Sequence, residues 1–266
     1  MTDRLVVQNC SITFNPGQQN EVRALTGIDL SIPTGQHMVI LGSNGAGKST
    51  LLNLVCGRFT PDHGSVILDG VDITDWSEHK RARRIGRVFQ DPIAGTAAPM
   101  TIEDNLALAE SRPRGRRLRG VRRGRETFYR EQLARLGMGL EDRLDAVVGG
   151  LSGGQRQALA LLMAAIGDPE LLVLDEHTAA LDPAAAERVM TITEQLVRES
   201  NLTSLMITHN MQHAVDAGDR TVMLHRGRVL FDVKGEERDG LTVSGLIARF
   251  QQLGAELSDR SALSEL

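Results

Sequence analysis

A chain of 266 residues is long enough for one large domain or two small ones. Hydrophobic residues at 41% and charged residues at 24% provide for a core and a soluble surface, while aromatics at 3% leave that core to Leu, Val, Ile and Ala. The net charge of −4 argues against wholesale nucleic-acid binding, and the two cysteines, Cys10 and Cys56, lack the spacing of a zinc or disulfide framework and suit a reducing cytosol.

Met1-Thr2-Asp3-Arg4 leads straight into strand-like residues without an apolar leader. The alternation from Leu5 to Phe14 predicts a half-buried antiparallel strand, turned by Asn15-Pro16-Gly17 onto a neighbour from Ala24 to Ile32. Pro33-Thr34-Gly35 then leads into the apolar run Met38-Val39-Ile40-Leu41. A turn at Asp62-His63-Gly64 precedes a short strand from Ser65 to Leu68, closed by Asp69-Gly70. Ser77 to Arg84 reads as a short helix, and Ile85 to Phe89 as a strand ending at Gln90-Asp91-Pro92. Helical periodicity follows in Thr101 to Glu110, Glu126 to Gly137 and Ser152 to Gly167, which marks about 91–165 as an inserted helical subdomain. Parallel α/β alternation resumes with a strand at Leu171 to Leu174 and a helix from Pro183 to Glu199, with Pro in its first turn. A strand from Thr203 to Thr208, a helix from Met211 to Ala217 and two last strands, at 221–224 and 229–231, complete the pattern. Val243 to Leu253 reads as an amphipathic terminal helix. The longest apolar stretch, Ala158 to Ile166, is too short to cross a bilayer, so membrane association would come through a partner. The stretch from Arg112 to Arg125 holds eight arginines and no acid; a solvated or neighbour-paired loop competes there with a lipid-headgroup or phosphate patch.

Chemistry concentrates in a few places. Gly42-Ser43-Asn44-Gly45-Ala46-Gly47-Lys48-Ser49, followed by Thr50, stands between a strand and a helix and fits the phosphate-loop pattern. Its glycines let backbone N–H groups curl round a phosphate, and the helix N-terminus adds partial positive charge. Lys48 reaches the β- and γ-phosphates and the Ser49 hydroxyl suits Mg²⁺; the competing reading is a glycine-rich turn with a chance Lys-Ser. The strand Leu171-Leu172-Val173-Leu174 ends in Asp175-Glu176, which places one carboxylate for Mg²⁺ and the next for polarising a water. Leu151-Ser152-Gly153-Gly154-Gln155 opens a helix with Ser152 as N-cap and its free N–H groups turned to an anion.

With these motifs in this order, the chain resembles the ATP-binding subunits of ATP-binding cassette (ABC) transporters, from Leu5 to about Phe250. The fold this implies is α/β, a P-loop NTPase with a RecA-like core, an N-terminal antiparallel β subdomain and an inserted α-helical subdomain. Residues 1–90 and 166–240 would form the core with its β subdomain, 91–165 the helical subdomain and 241–266 a C-terminal extension. The resemblance implies ATP and Mg²⁺ as ligands. It assigns Phe14 to adenine stacking, Gln90 to the loop that approaches Mg²⁺ and the water, and Ser152 to Gln155 to the ATP held by a second subunit. Asp182, in Ala180-Leu181-Asp182, would cross to that subunit, and His209 would contact the γ-phosphate. A homodimer formed on ATP, integral membrane permease subunits and an extracytoplasmic solute-binding protein follow as partners, with the chain peripheral on the cytoplasmic face of the membrane and no nucleic acid. His177 departs from the family's usual proline; a turn substitute competes there with a second proton-handling group. The Asp-Glu-His-Thr-Ala-Ala-Leu-Asp version, with Gly-Arg-Val-Phe-Gln-Asp-Pro at 86–92 and the arginine-rich loop, resembles a narrower bacterial group of tryptophan- or tyrosine-type importers. The alternatives are an exporter or membrane signalling ATPase, and a non-transport cassette acting on DNA or ribosomes.

Overall fold

The computed structural model describes residues 2–111 and 124–263. In chain order it begins with β1 (Asp3–Phe14), β2 (Val22–Pro33), β3 (His37–Leu41), α1 (Lys48–Cys56), β4 (His63–Leu68) and the two-residue β5 (Val71–Asp72). There follow α2 (Glu78–Arg81), β6 (Ile85–Val88), α3 (Ile102–Ser111), α4 (Glu126–Ala134), a 3-10 turn at Val148–Gly150 and α5 (Gly153–Ala165). The chain continues through β7 (Leu171–Asp175), α6 (Pro183–Glu199), β8 (Ser204–Thr208), α7 (Met211–Asp216), β9 (Arg220–His225) and β10 (Arg228–Lys234). It ends with α8 (Glu236–Asp239) and α9 (Val243–Leu263).

These elements form two compact units. One takes the residues up to Asp75 and from Leu205 onward, the other Trp76–Ser204. In the first unit β2, β1, β4 and β5 make an antiparallel sheet in that order. Its alternating pattern is visible in β1, where Leu5, Val7, Cys10 and Ile12 are buried between more exposed neighbours. Asn15 at φ 52 and Gly17 at φ 73 turn β1 toward β2, with Gln18 N–H donating to the Asn15 carbonyl. In the same unit β10, β9, β3 and β8 lie side by side, β3 parallel to β9 and β10 antiparallel to it. All five residues of β3 are buried, as befits a strand covered on both faces. Arg220 ties the two sheets of this unit together, pairing with Asp232 and donating to the Ser31 carbonyl at 2.7 Å.

In the second unit β6 and β7 pair in parallel, Ile85 opposite Leu171 and Val88 opposite Leu174. Leu171 to Leu174 are wholly buried, and α5 packs on β6, α3, α4 and α6 with Ala158 to Ala164 inward. The 17-residue α6 is started by the Asp182 side chain, which accepts from Ala185 N–H at 3.0 Å, and by Pro183. Its Val189, Ile192, Leu196 and Val197 supply the buried stripe. α3 begins where Thr101 and Asp104 exchange hydrogen bonds, Asp104 N–H donating to the Thr101 hydroxyl at 3.1 Å.

The structure departs from the sequence reading at several ends. α2 covers only Glu78–Arg81, because the chain must straighten into β6, and buried Arg81 anchors this turn by donating to the Trp76 carbonyl. α9 runs on to Leu263, well past Leu253. β5, α8 and the 3-10 turn have no periodicity of their own to betray them at two to four residues. Of the arginine-rich stretch, residues 112–123 lie outside the described residues.

Candidate nucleotide-binding and hydrolysis site

The phosphate loop leaves the buried strand β3 and enters α1. Gly47 caps the helix at φ 101, a left-handed conformation, and a Cβ there would stand 2.6 Å from the Ala24 carbonyl oxygen. At Gly42 a Cβ would meet the Leu224 carbonyl oxygen, also at 2.6 Å. The loop therefore closes only with glycine at these two places. Gly227 N–H braces it from β10's leading turn, donating to the Ala46 carbonyl at 3.0 Å. Ser43, Asn44, Gly45 and Ser49 are exposed, while Lys48 is buried. Its Nζ donates to the carbonyls of Gly42 at 2.6 Å and Ser43 at 3.2 Å, which folds the ammonium back across the loop. No acid stands in the first turn of α1, so the helix does not cancel its own positive end. Thr50 is half-buried behind Ser49.

Two further residues named from the sequence lie in the same unit. Phe14 ends β1 half-buried, its ring edge-on to Phe59 at 5.3 Å between centroids, so one face of an aromatic pair is fixed by β1 and the turn after α1. His209 follows the last residue of β8, the strand beside β3, and is exposed. Next to it Asn210 caps α7, accepting from Gln212 N–H at 2.9 Å, and donates its own N–H to the Thr208 hydroxyl.

In the second unit the strand β7 delivers Asp175 and Glu176. Asp175 accepts a hydrogen bond from Arg87 Nη2 at 2.9 Å. Glu176 stands at φ 42, unusual for a residue with a side chain, and the strand ends there. His177, next in line, is 2% exposed and its Nε2 lies 3.0 Å from the Thr193 hydroxyl on α6. Because that hydroxyl donates to the Val189 carbonyl, it accepts from His177, so Nε2 carries the hydrogen. Gln90 is exposed just after β6, and Phe89 before it accepts from Gln157 Nε2 of α5 at 3.1 Å.

The glycine-rich helix start is built as the sequence suggests. Ser152 and Gln155 form a reciprocal capping box, Gln155 N–H donating to the Ser152 hydroxyl and Ser152 N–H to Gln155 Oε1. A Cβ on Gly153 would approach Leu181 Cδ2 to 3.3 Å, and one on Gly154 would approach Ala185 Cβ to 3.1 Å. The segment Leu181 to Ala185, with exposed Asp182 at its centre, thus rests directly on the two glycines.

The side-chain oxygens of Ser49 in the first unit, and of Asp175 and Gln90 in the second, are each hard donors of the kind that Mg²⁺ accepts, and Mg²⁺ keeps several waters and takes few protein groups. Among the described residues no cluster of three or more His, Cys, Asp or Glu could hold a metal ion, so a protein-only cage for a softer metal has no counterpart. Sequence reasoning missed Arg87, whose tie to Asp175 joins positions 88 apart and left no local signal.

Residues 25–179 match the family described as ABC transporter. The chain is 42% identical over 249 residues to a tyrosine transport ATP-binding protein of Clostridioides difficile, spanning 93% of this chain and 98% of that one. It is 35% identical to the lipoprotein-releasing system ATP-binding protein LolD 1 of Caulobacter vibrioides, over 88% of this chain and 97% of that one. Among solved structures it resembles a dimeric, post-hydrolysis ATP-binding cassette, MJ0796, bound to ADP and Pi, with a TM-score of 0.71 at 28% identity over 86% of this chain and 98% of that one. With the phosphate loop, the carboxylate strand and the capped glycine pair already in place, the chain belongs to the ABC transporter family, as an ATP-binding and ATP-hydrolysing subunit with the P-loop α/β fold.

Proposed function

We propose that this ATPase drives the import of an amino acid or a related small solute through a membrane permease. The observation that carries the reading is the 42% identity, over nearly both chains, to a protein named for tyrosine transport. A methionine import ATP-binding protein of Mesorhizobium japonicum, 34% identical over 89% of this chain, points the same way. Similarity to a multidrug efflux protein of Mycobacterium bovis, 37% identical over 86% of this chain, keeps export as the second reading.

In this proposal Gly42 to Thr50 hold the phosphates, and Lys48 turns its ammonium from the loop carbonyls to the β- and γ-oxygens. Phe14 stacks on adenine. Ser49, Asp175 and Gln90 hold Mg²⁺, which when bound neutralises charge on the phosphates. Glu176 accepts the proton of the attacking water and His209 contacts the γ-phosphate. Ser152 to Gln155 and Asp182 serve the nucleotide of a second copy, giving a homodimer with two shared sites. Residues 91–165 form the helical subdomain that meets the permease, and an extracytoplasmic binding protein presents the solute. No described helix is long and apolar enough to cross a membrane, which suits a chain held at the cytoplasmic face by such a partner.

Co-purification of the tagged chain from detergent-solubilised membranes tests the coupling. An integral membrane protein should come with it, and vesicles carrying the pair should accumulate labelled tyrosine or a related amino acid when a binding protein and ATP are supplied. Recovery of ribosomes or DNA would overturn the transporter reading, and ATP-driven efflux would favour the second.

A further inference from the structure

Asp175, the carboxylate proposed for Mg²⁺, already holds a cation of the protein's own. Arg87 Nη2 donates to its Oδ2 at 2.9 Å, with the two side chains only 13% and 18% exposed. The parallel register that sets Arg87 opposite Val173 and Val88 opposite Leu174 brings them together. The same guanidinium lies 4.7 Å from the centroid of the Phe89 ring, a surface on which arginine rests favourably. A carboxylate at the end of a buried strand is costly without a partner, and the guanidinium offsets that cost. A divalent ion on the same carboxylate changes the balance. Two cations crowded on one carboxylate repel each other strongly in a partly buried place, and the divalent one brings the greater charge.

We infer that Arg87 is a built-in competitor for the metal carboxylate: it holds Asp175 in the metal-free protein and gives up that bond, keeping its rest on the Phe89 ring, when Mg²⁺ arrives with nucleotide. The inference rests on the proposed role of Asp175. Metal-free protein then never carries a bare half-buried carboxylate, and metal alone binds weakly. Stable occupancy needs the added oxygens of the phosphates. Because Arg87 stands just ahead of Phe89 and Gln90, the arrival of metal is felt where the chain enters residues 91–165, proposed to meet the permease.

Mn²⁺ serves as the probe, its free concentration followed by electron paramagnetic resonance while the full chain is titrated with ADP present. Arg87→Gln should bind Mn²⁺ roughly tenfold more tightly than the wild type, while Arg87→Lys, which keeps the charge, should stay within about twofold of it. In EDTA, Arg87→Gln should melt at a lower temperature, and ADP affinity without metal should be unchanged. An unchanged or weakened Mn²⁺ affinity in a folded Arg87→Gln protein overturns the inference. Asp175→Asn separates the two layers. If that variant binds Mn²⁺ as the wild type does, the role of Asp175 itself fails. If it loses affinity while Arg87→Gln gains none, only the role of Arg87 fails. A measurement on the unaltered protein covers variants that do not fold: the Arg87 Nε–H resonance should shift when Mg²⁺ is added to the ADP complex and not when ADP is added alone. A resonance indifferent to Mg²⁺ would overturn the inference without any substitution.

Discussion

Lys48 is held by two loop carbonyls and is 5% exposed, so its ammonium is prepaid in position but still has phosphates to gain. Replacing it with Ala removes the loop's mobile cation and should abolish tight ATP binding, measured by equilibrium dialysis; unchanged affinity would refute its role. The case of His177 runs the other way. It is buried and donates to Thr193, which keeps its own bond to Val189, so the link fastens the chain after Glu176 to α6. His177→Ala should lower stability by about 1–3 kcal/mol, the scale of a lost buried hydrogen bond with some packing, and leave the rate of ATP hydrolysis within a few fold. Denaturant unfolding and steady-state ATPase assays check both halves, and a collapse of activity with ATP binding intact would give His177 a chemical role. At this scale the sequence was readable wherever chemistry is carried by neighbours in the chain. Gly42 to Ser49, Asp175-Glu176 and Ser152 to Gln155 each announce themselves within eight positions. The Arg87–Asp175 pair does not, because only the β6–β7 register creates it.

Elements follow the same division. The apolar run of β7, the alternation of β1 and the Asp-Pro start of α6 were legible because period and caps are local. How helices are fastened to each other was not. α3 and α4 meet through Glu110, which accepts from Tyr129 at 2.9 Å and from Arg125, itself stacked 3.9 Å from the Phe128 ring centroid. Arg125, the last arginine of the arginine-rich stretch, is thus neighbour-paired. Tyr129, the only tyrosine in the chain, is buried, and its phenol is pushed up to about 12, first by burial and then by the bond it donates to Glu110. The native state thus keeps its proton longer than the unfolded chain, whose tyrosine ionises near 10. The clamp's contribution is complete below that pH and is lost as pH rises from about 10 to about 12. Tyr129→Phe should cost about 1 kcal/mol at pH 8, and its deficit against the wild type should shrink across that alkaline window. Thermal melts at several pH values measure the deficit. Ultraviolet titration of the single phenol measures the pKa directly, and a midpoint near 10 in the folded protein would contradict the clamp.

For the whole molecule, the proposed reading needs two copies and a membrane partner. Glu176→Gln should bind ATP yet hydrolyse it roughly 10²–10⁴-fold more slowly, the usual worth of a general base. Uncleaved ATP should then hold two chains together through Ser152 to Gln155 and Asp182, and size-exclusion chromatography with Mg-ATP should show the dimer. A persistent monomer would contradict the shared sites. The permease contact proposed for residues 91–165 asks for an apolar, exposed surface in that stretch. Ala98 and Met100, small or apolar in the same stretch, are only half-exposed, and their carbonyls accept from Gly149 and Val148, so charges there would disturb the fold as well. Ile93 is the sharper target. It is 56% exposed, on a turn whose backbone is held by Asp91, with Ile93 N–H donating to the Asp91 carboxylate at 2.9 Å. An isoleucine left so bare on a well-held turn loses little on substitution in the isolated chain and much where a partner covers it. Ile93→Asp should therefore leave the melting temperature, ATP binding and the ATP-driven dimer of Glu176→Gln intact, while cutting recovery of the permease and abolishing coupled uptake. Permease recovery equal to the wild type's would move the contact away from this turn.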